Sequence, residues 1–417
     1  MIWTQSRRLV IPLVLGLATT VAAPAGWAQS DETPPTPSWA QGPFLTGDWG
    51  GLRTRLADRG FAPYGIYSVE GFGTVAGGLQ AGADWTSELE FGLDADLGKL
   101  LRLAGAAFHT SFLWIEGTDP SEDRVGNLNH ISSLSAPAAV RVYQFWYRQT
   151  LGPITAKVGQ VVASDDFMAS SNAALYLNAG FGTYPTFTAN INAPTYPLGA
   201  PGAFAVWQVT EAFSVQSGVY VADAGPNDGE NHGFGWRTDH GWVVFAEAAY
   251  TADLAGRSSV YKVGGYYDTG RFDDLETGGR LQGNGSVYVL ADQTLLPRGD
   301  GTPTVAVFAG FGLSPQQDRN TVYYYGQGGL NVTGLIPSRP KDALGLGASY
   351  TRFSTDFVQA NQAAGTPVTR QEVIVELTYQ AAITPFLTLH PDLQLVFGAN
   401  QSRRDAVVFG VRLVATF

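Results

Sequence analysis

The chain has 417 residues, enough for one large domain or two to three ordinary ones. A formal net charge of −11 argues against nucleic acid as a partner, and the lack of Cys excludes disulfides, thiolate catalysis and Cys-ligated metals. Charged residues make up 15% of the chain, against about 25% in typical globular proteins. Aromatic residues reach 12%, and the mean hydropathy is −0.01, which favours strands with one apolar and one polar face over a bundle of membrane helices.

Residues 1–43 are predicted to precede the folded part of the chain. Residues 1–28 combine Arg7 and Arg8, an apolar stretch and small residues before a cleavage site, which indicates a secretory signal peptide. The apolar stretch is shorter than the ~20 residues that span a bilayer, so a retained anchor is the weaker alternative. Residues 29–43 are Pro-rich and polar and predict an extended linker.

Residues 44–63 predict a short N-terminal helical segment at the periplasmic mouth of the fold. Asp48 is placed to cap a helix, Leu52 and Leu56 share a face four residues apart, and Gly60 is a natural stop. A helix of this length is not stable alone, because forming its first turn is costly. We therefore expect it to pack on the rest of the molecule.

From residue 64 to residue 417 one predicted strand follows another. Side chains in a strand alternate between two faces, and here an apolar face stands opposite a polar one. In residues 386–397, for example, Leu389 and Leu393 share one face, and His390 and Asp392 share the other. The sixteen segments are residues 64–73, 86–97, 103–114, 139–150, 153–161, 202–210, 213–222, 241–251, 257–268, 284–296, 303–312, 322–333, 343–353, 370–381, 385–397 and 406–417.

The connections between these segments favour a closed barrel over a sandwich. With the N-terminus in the periplasm, even-numbered connections should be short turns and odd-numbered ones long external loops. The short connections, all even, are residues 98–102, 151–152, 211–212, 252–256, 297–302, 334–342 and 382–384. The long ones, all odd, are residues 115–138, 162–201, 223–240 and 354–368. Residues 64–417 thus predict an all-β fold, a closed antiparallel transmembrane β-barrel of about 16 strands with short periplasmic turns and longer extracellular loops.

The last segment gives the same prediction at the point of closure. Phe409, Val411 and Leu413 lie on an apolar face, and Arg412 lies on the opposite, mixed face. An open final strand invites edge pairing, whereas in a closed barrel it pairs with the first strand and turns its apolar face to lipid. We expect contact with the lipid bilayer and lipopolysaccharide, and recognition of the last strand, ending at Phe417, by the barrel-assembly machinery. The predicted location is the cell outer membrane of a Gram-negative bacterium.

Five stretches of the chain form a recognisable set of motifs. They are residues 47–53 (GDWGGLR), 165–178, 261–267 (YKVGGYY), 291–293 (ADQ) and 329–340. Together they resemble the OprB family of carbohydrate-selective porins, and the likeness runs from about residue 44 to residue 417. The resemblance implies a sixteen-stranded outer-membrane barrel that admits glucose and related sugars by facilitated diffusion.

Candidate substrate-binding residues lie in the longest connection and on the barrel wall. A sugar is neutral, with polar edges and apolar faces, so a selective pore needs hydrogen-bonding groups interleaved with aromatic rings. Residues 162–201 are long enough to fold inward and narrow the pore. The candidates in this loop are Asp165, Asp166, Asn172, Tyr176 and Asn178. The candidates on the wall are the two carboxylates that alternation turns to the lumen, Glu90 and Glu376. The alternative is that the loop residues cap a helix and hold turns.

The resemblance also implies arginines at the constriction, for which Arg148 and Arg412 are the best matches in this chain. Trp114 and Trp146 are candidates for stacking on sugar, but the interfacial aromatic girdle of a barrel is the favoured position for them. The five His residues share no metal-ligand spacing, and a glycosidase-like carboxylate pair assembled from Glu90 and Glu376 has no support in the sequence.

The sequence therefore predicts an outer-membrane porin for passive, carbohydrate-selective diffusion of monosaccharides such as glucose, without enzymatic activity, metal or cofactor. Alternatives are a general or anion-biased porin and, more remotely, a secreted β-rich carbohydrate-binding or hydrolysing protein or a structural barrel. A monomer and a trimer remain open.

Overall fold

The computed structural model of the chain describes residues 39–253, 257–297, 303–366, 368–399, 401–402 and 404–417. The predicted signal peptide, residues 1–28, lies outside the described residues, as does most of the predicted linker, residues 29–43. Among the helices of the described ranges, none is both long and apolar enough to cross a bilayer.

Within the described ranges, sixteen antiparallel strands form one closed barrel, in which each strand pairs with its neighbours in the chain and β1 pairs with β16. The all-β barrel predicted from alternation is therefore confirmed. The strands are β1 Phe61–Gly77, β2 Gly82–Asp96, β3 Ala106–Gly117, β4 Ala139–Leu151, β5 Ile154–Val161, β6 Ala200–Gln208, β7 Phe213–Asp223, β8 Arg237–Asp253, β9 Ser258–Asp273, β10 Arg280–Leu296, β11 Thr304–Leu313, β12 Val322–Thr333, β13 Ala343–Phe353, β14 Gln371–Thr384, β15 Leu387–Phe397 and β16 Ala406–Thr416.

The two ends of the barrel differ in their connections. The turn end carries the even-numbered connections, which are as short as residues 152–153 and 385–386. The loop end carries the long connections, at residues 118–138, 162–199, 224–236 and 354–370. The predicted division into short turns and longer loops is confirmed, although residues 78–81 make a short connection at the loop end as well.

The alternation in β16 has the predicted faces. Phe409, Val411 and Leu413 point outward, and Phe409 is 53% exposed. Arg412 points inward and is fully buried, because loops fill much of the barrel interior. An apolar outer face and a polar inner face are what a strand between hydrocarbon and water requires.

Short helices lie at the barrel ends and in the loops. The α-helices of the described ranges are α1 Leu52–Asp58, α2 Leu97–Leu101, α3 Pro185–Thr188 and α4 Thr355–Ala363, and single turns of other helix types lie at Trp39–Gln41, Trp49–Gly51, Ser121–Val125, Ala163–Asp165, Ala173–Leu175 and Ala179–Phe181. Ser354 caps α4, since its side chain accepts a hydrogen bond from the Phe357 amide.

The N-terminal segment packs against the turn end, as its short length required. The guanidinium of Arg53 lies 3.8 Å from the centre of the Phe44 ring and 4.1 Å from that of Trp49. Arg53 also donates to the Pro63 carbonyl in β1, and the Leu45 amide donates to the Thr416 carbonyl in β16. The segment therefore spans the β1–β16 seam, where the barrel closes.

Candidate functional site: two loops inside the barrel

The β5–β6 loop, residues 162–199, folds into the lumen and fills part of it. Its second half carries large buried rings that pack on inward-facing rings of the wall. Phe187 lies 5.2 Å from Phe245 of β8, measured between ring centres, and Tyr184 lies 5.4 Å from Tyr325 of β12. This cluster is the main apolar core of the protein, and it lies inside the barrel rather than between two sheets.

The first half of the same loop is held by polar contacts. Asp165 accepts a hydrogen bond from the Gln144 side chain of β4 (Nε2–Oδ2 2.7 Å). Asp166 forms a buried ion pair with Lys157 of β5 (Nζ–Oδ2 2.6 Å). A buried ion pair is retained only where both charges are well satisfied, so these contacts fix the start of the loop against the wall.

Two further wall carboxylates hold the middle of the loop. Glu247 of β8 accepts the Met168 amide at 3.1 Å. Asp292 of β10 accepts hydrogen bonds from the Ser170 hydroxyl, the Ser171 amide and the Asn172 side chain, at 2.6, 3.1 and 3.0 Å. Asn172 nevertheless keeps part of its surface exposed to the lumen.

Tyr176 and Asn178, at the end of the first half, are fully buried. The Tyr176 hydroxyl donates to Asn331 of β12 at 2.9 Å, and its ring stacks on Phe181. The Asn178 amide donates to Glu376 of β14, and the Asn178 side chain donates to Gln394 of β15 at 2.9 Å. The structure thus brings Tyr176, Asn178 and Glu376 into contacts between loop and wall, and their contact with a sugar stays a prediction.

The β3–β4 loop, residues 118–138, also folds into the lumen. Its Ser132 hydroxyl donates to Glu70 of β1, and its Ser133 hydroxyl accepts from Arg412 of β16. Glu70 and Arg412 face each other across the β1–β16 pair and form a buried ion pair. Arg412, a predicted constriction arginine, is therefore paired at the seam beneath this loop.

The remaining predicted wall residues lie in β2 and β4. Glu90 accepts a hydrogen bond from the Tyr64 hydroxyl at 2.9 Å and is nearly buried. Arg148 faces the lumen next to Lys157 of β5 and is half-buried. Glu90 and Glu376 lie on strands that are separated by β15, β16 and β1, so the barrel does not make them neighbours.

The two Trp residues have different positions. Trp114 points outward and is 49% exposed, as the girdle position predicts. Trp146 points inward, and its ring stacks on His109 at 4.7 Å with the Lys157 ammonium 5.5 Å from its centre. The girdle position was therefore wrong for Trp146. The reason is the register of β4, in which an irregularity near Val142 changes which residues face the lumen.

An acid–base pair in the β3–β4 loop lies outside the spanning strands. His130 Nδ1 lies 2.5 Å from Asp119 Oδ2. Burial works against both charges, but the hydrogen bond and the opposite charge of the partner outweigh it. The pKa of His130 is therefore raised above its usual 6.5, and the pKa of Asp119 is lowered below its usual 3.8. The pair stabilises the loop while both groups are charged.

Among the residues that the structure describes, no group of three or more His, Asp or Glu side chains is arranged to hold a metal ion. The interior is instead rich in paired groups. Its ion pairs include Glu70–Arg412 and Glu247–Lys262 on the wall and Asp166–Lys157 between loop and wall, and Asp94 is hydrogen-bonded to His109.

Comparison with known proteins identifies the family. The sequence model described as carbohydrate-selective porin, OprB family, matches residues 81–417. The chain belongs to this family. It is 25% identical to Porin B of Pseudomonas aeruginosa over 424 aligned positions, covering 90% of this chain and 91% of that protein. It is 24% identical to the putative porin QuiX of Acinetobacter baylyi, covering 93% of each.

A solved structure of the family shows the same fold. The high-pH structure of Pseudomonas putida OprB matches with a TM-score of 0.84 and 24% identity, over 90% of this chain and 99% of that chain. The family model confirms the carbohydrate-selective porin family predicted from the motifs, and the solved structure confirms the barrel fold.

Most of the family-like motifs are loop anchors in this structure. Asp292, from one motif on the wall, accepts hydrogen bonds from the Ser170–Asn172 stretch. Lys262, from another, donates to the Ala169 carbonyl. Asn331, from a third, bonds to Tyr176. The residues predicted for the site did not include Glu247, Glu372 or Lys157. Alternation places the two carboxylates and Lys157 on the lumen face, but no pattern indicates which loop amides they meet.

Proposed function

We propose that the protein is a passive pore for monosaccharides such as glucose. The observation that carries the proposal is the combination of an inward-folded β5–β6 loop with ion pairs along the lumen wall. The loop narrows the lumen, so a solute must pass close to protein groups. The pairing, as in Asp166–Lys157 and Glu70–Arg412, leaves a weaker field than separate charges would give.

Such an interior suits a neutral polar solute. A strong field of one sign would favour ions, whereas closely spaced donors and acceptors can replace the water around sugar hydroxyls. Binding must stay weak, because release is part of transport. Passive diffusion also requires no catalysis and no cofactor, and we include both absences in the proposal.

Among the predicted sugar contacts, two keep part of their surface exposed to the lumen. Asn172 lies on the β5–β6 loop and Arg148 on β4. We assign direct contact with sugar to these two residues. Asp165, Asp166, Tyr176, Asn178, Glu90, Glu376 and Arg412 are buried, so they act on the sugar through the shape of the pore and the position of the loops.

A general or anion-biased porin is the alternative. Strands β14 and β15, which are described throughout, place Glu372, Glu376 and Asp392 on the lumen face and contain no Lys or Arg. Acidic side chains on one side of the lumen disfavour anions. This distribution favours a neutral solute over an anion.

The family and the barrel imply the outer membrane of a Gram-negative bacterium as the setting. The outward band of apolar side chains, among them Phe409 and Trp114, suits a bilayer with lipopolysaccharide in its outer leaflet. We include recognition of β16 by the barrel-assembly machinery in this proposal, since that strand closes the barrel against β1. Both a monomer and a trimer are compatible with it.

Liposome swelling with the purified full chain tests the proposal. Glucose should enter clearly faster than a charged amino acid of similar size, and anions should enter slowest. Liposomes without protein give the baseline, and a general porin in parallel gives the unselective pattern. Equal rates for glucose and the amino acid would contradict sugar selectivity.

A further inference from the structure

Strand β14 presents two buried carboxylates to the lumen, four residues apart on the same face. Glu376 receives two consecutive backbone amides of the β5–β6 loop. Its Oε1 accepts from Leu177 at 2.6 Å and its Oε2 accepts from Asn178 at 3.1 Å. Each carboxylate oxygen therefore satisfies one amide.

Glu372 repeats this arrangement with the other inward loop. Its Oε2 accepts from the Leu128 amide at 2.8 Å and its Oε1 from the Asn129 amide at 2.9 Å. The Asn129 side chain adds a third hydrogen bond to Oε1, at 2.7 Å. Both glutamates are fully buried. One strand thus anchors two loops that are distant in the chain through the same geometry.

The anchored segments are also bonded to each other. The Ser133 amide donates to the Leu177 carbonyl at 2.7 Å, and the Ala179 amide donates to the His130 carbonyl at 2.9 Å. The Asn178 side chain donates to the Asn129 carbonyl at 3.0 Å. The two loops therefore form one connected unit, and β14 fixes the position of this unit in the lumen.

We propose that Glu372 and Glu376 are positioning residues, which set the width of the pore by holding both loops and do not bind the sugar themselves. This inference rests on the proposed function. It assigns Glu376 a different role from the sugar contact that alternation in the sequence favoured, because its two oxygens are occupied by loop amides.

The chemistry of the carboxylate makes the inference testable. Each of the two oxygens of a carboxyl group can accept a hydrogen bond, so the group can take two amides at once. The amide of a Gln side chain has one accepting oxygen, and its NH2 group would face the second backbone N–H. A Glu→Gln substitution keeps the size of the side chain but leaves a buried amide unsatisfied, which destabilises the bound arrangement of the loop.

The experiment compares Glu372→Gln and Glu376→Gln in the full chain. Hydrogen exchange is followed at residues 126–131 and 175–180, and single-channel conductance is measured with and without sugar as a blocker. Glu376→Gln should accelerate exchange at Leu177 and Asn178 about 10-fold or more, and Glu372→Gln should do so at Leu128 and Asn129. Each variant should affect its own loop most. Conductance should rise, and block by sugar should weaken.

Asp94→Asn is the matched control. It removes one lumen carboxylate charge as well, but the Asp94 side chain is 58% exposed and bonds to His109 on the neighbouring strand rather than to a loop. Exchange in both loops should stay as in the unmodified chain. Asn129→Ala keeps the Glu372 carboxylate and the backbone bonds to it, and removes the side-chain bonds to Glu372 and to the Thr351 hydroxyl. Should Glu372→Gln fail to assemble, Asn129→Ala should still give a smaller acceleration, confined to the β3–β4 loop.

Unchanged exchange in the Glu→Gln variants would overturn the inference. Acceleration throughout the wall strands, with loss of heat-modifiable gel migration, would also overturn it, since a positioning role is local. Local acceleration with higher conductance but unchanged preference for sugar would support the positioning role and contradict the proposed function instead. The two proposals can therefore fail separately.

Discussion

The two halves of the β5–β6 loop are held inside the barrel by different forces. Residues 162–178 carry most of the directional contacts to the wall, such as the Asp166–Lys157 pair and the amides that Glu376 accepts, although Phe167 also packs on Phe245. Residues 179–193 are fixed by buried rings, with Phe187 and Tyr184 packed on the aromatic residues of β8 to β12. We refer to them as the polar half and the aromatic half.

This difference in contacts indicates that the two halves of the loop have different roles. Ring packing is strong and largely non-directional, so it keeps the loop inside the barrel without fixing the exact position of the loop edge that lines the pore. Hydrogen bonds to carboxyl groups are directional and short, so they set the edge of the loop next to the pore. The aromatic half should therefore govern stability, and the polar half should govern selectivity.

The largest expected effect comes from the aromatic half. Phe187→Ala should destabilise the packed loop by about 3–5 kcal/mol, because it removes a fully buried ring and leaves a cavity. Without the Phe187 ring the loop is held less firmly inside the barrel, so single-channel conductance should rise as well. Gel migration after heating at graded temperatures reports the stability, and planar-bilayer recording reports the conductance.

Phe311→Ala is the matched control for that variant. Phe311 points outward from β11 and is 44% exposed, so its removal changes contact with lipid and leaves the loop in place. The conductance of the Phe311→Ala variant should equal that of the unmodified chain. If Phe187→Ala behaved like Phe311→Ala in both measurements, the assignment of stability to the aromatic half would be wrong.

A smaller effect should follow from pH, through the β3–β4 loop that contacts the polar half. The pKa of His130 is raised, so its contribution is complete below its usual 6.5 and is lost as the pH rises through the raised value. The pKa of Asp119 is lowered, so its contribution is present above 3.8 and is lost only as the pH falls through a lower value. The pair therefore holds the loop between pH 3.8 and 6.5 and weakens as the pH rises through the raised pKa of His130.

The size of this effect is limited by exposure. The His130 side chain is 39% exposed, and solvent screening keeps its contribution to about 1 kcal/mol or less. Hydrogen exchange of residues 126–133, corrected for the intrinsic rate, should speed up as the pH rises through the raised pKa of His130, while the aromatic half stays protected. His130→Gln should remove the pH dependence. A pH dependence that persisted in His130→Gln would assign the effect to other groups.

The wall could be predicted from the sequence, and the contents of the lumen could not. Alternation in β16, with Phe409 outward and Arg412 inward, depends only on the period of a strand and on the media on its two sides. Which carboxylate meets which loop depends on contacts between residues far apart in the chain. Glu372 and Asn129, for example, are 243 positions apart.

The loop boundaries were also close to those predicted, and the buried rings were not anticipated. Residues 162–201 were predicted as an inward loop, and the structure has it at residues 162–199. Phe245 and Tyr325 point inward, however, although an aromatic ring on a barrel strand is equally compatible with the lipid side. The alternation of their strands turns both rings inward, and the loop brings Phe187 and Tyr184 to cover them, a contact that no local pattern reveals.

The most direct test of the central claim is to remove the β5–β6 loop. Val161 of β5 and Ala200 of β6 are paired across the two strands, so residues 162–199 can be replaced by the two-residue turn Asn-Gly. Single-channel conductance and the ratio of glucose to amino acid entry are then measured against the full chain. We expect a higher conductance and a glucose preference that is lost. Conductance and preference equal to those of the full chain would contradict the claim that this loop makes the pore selective.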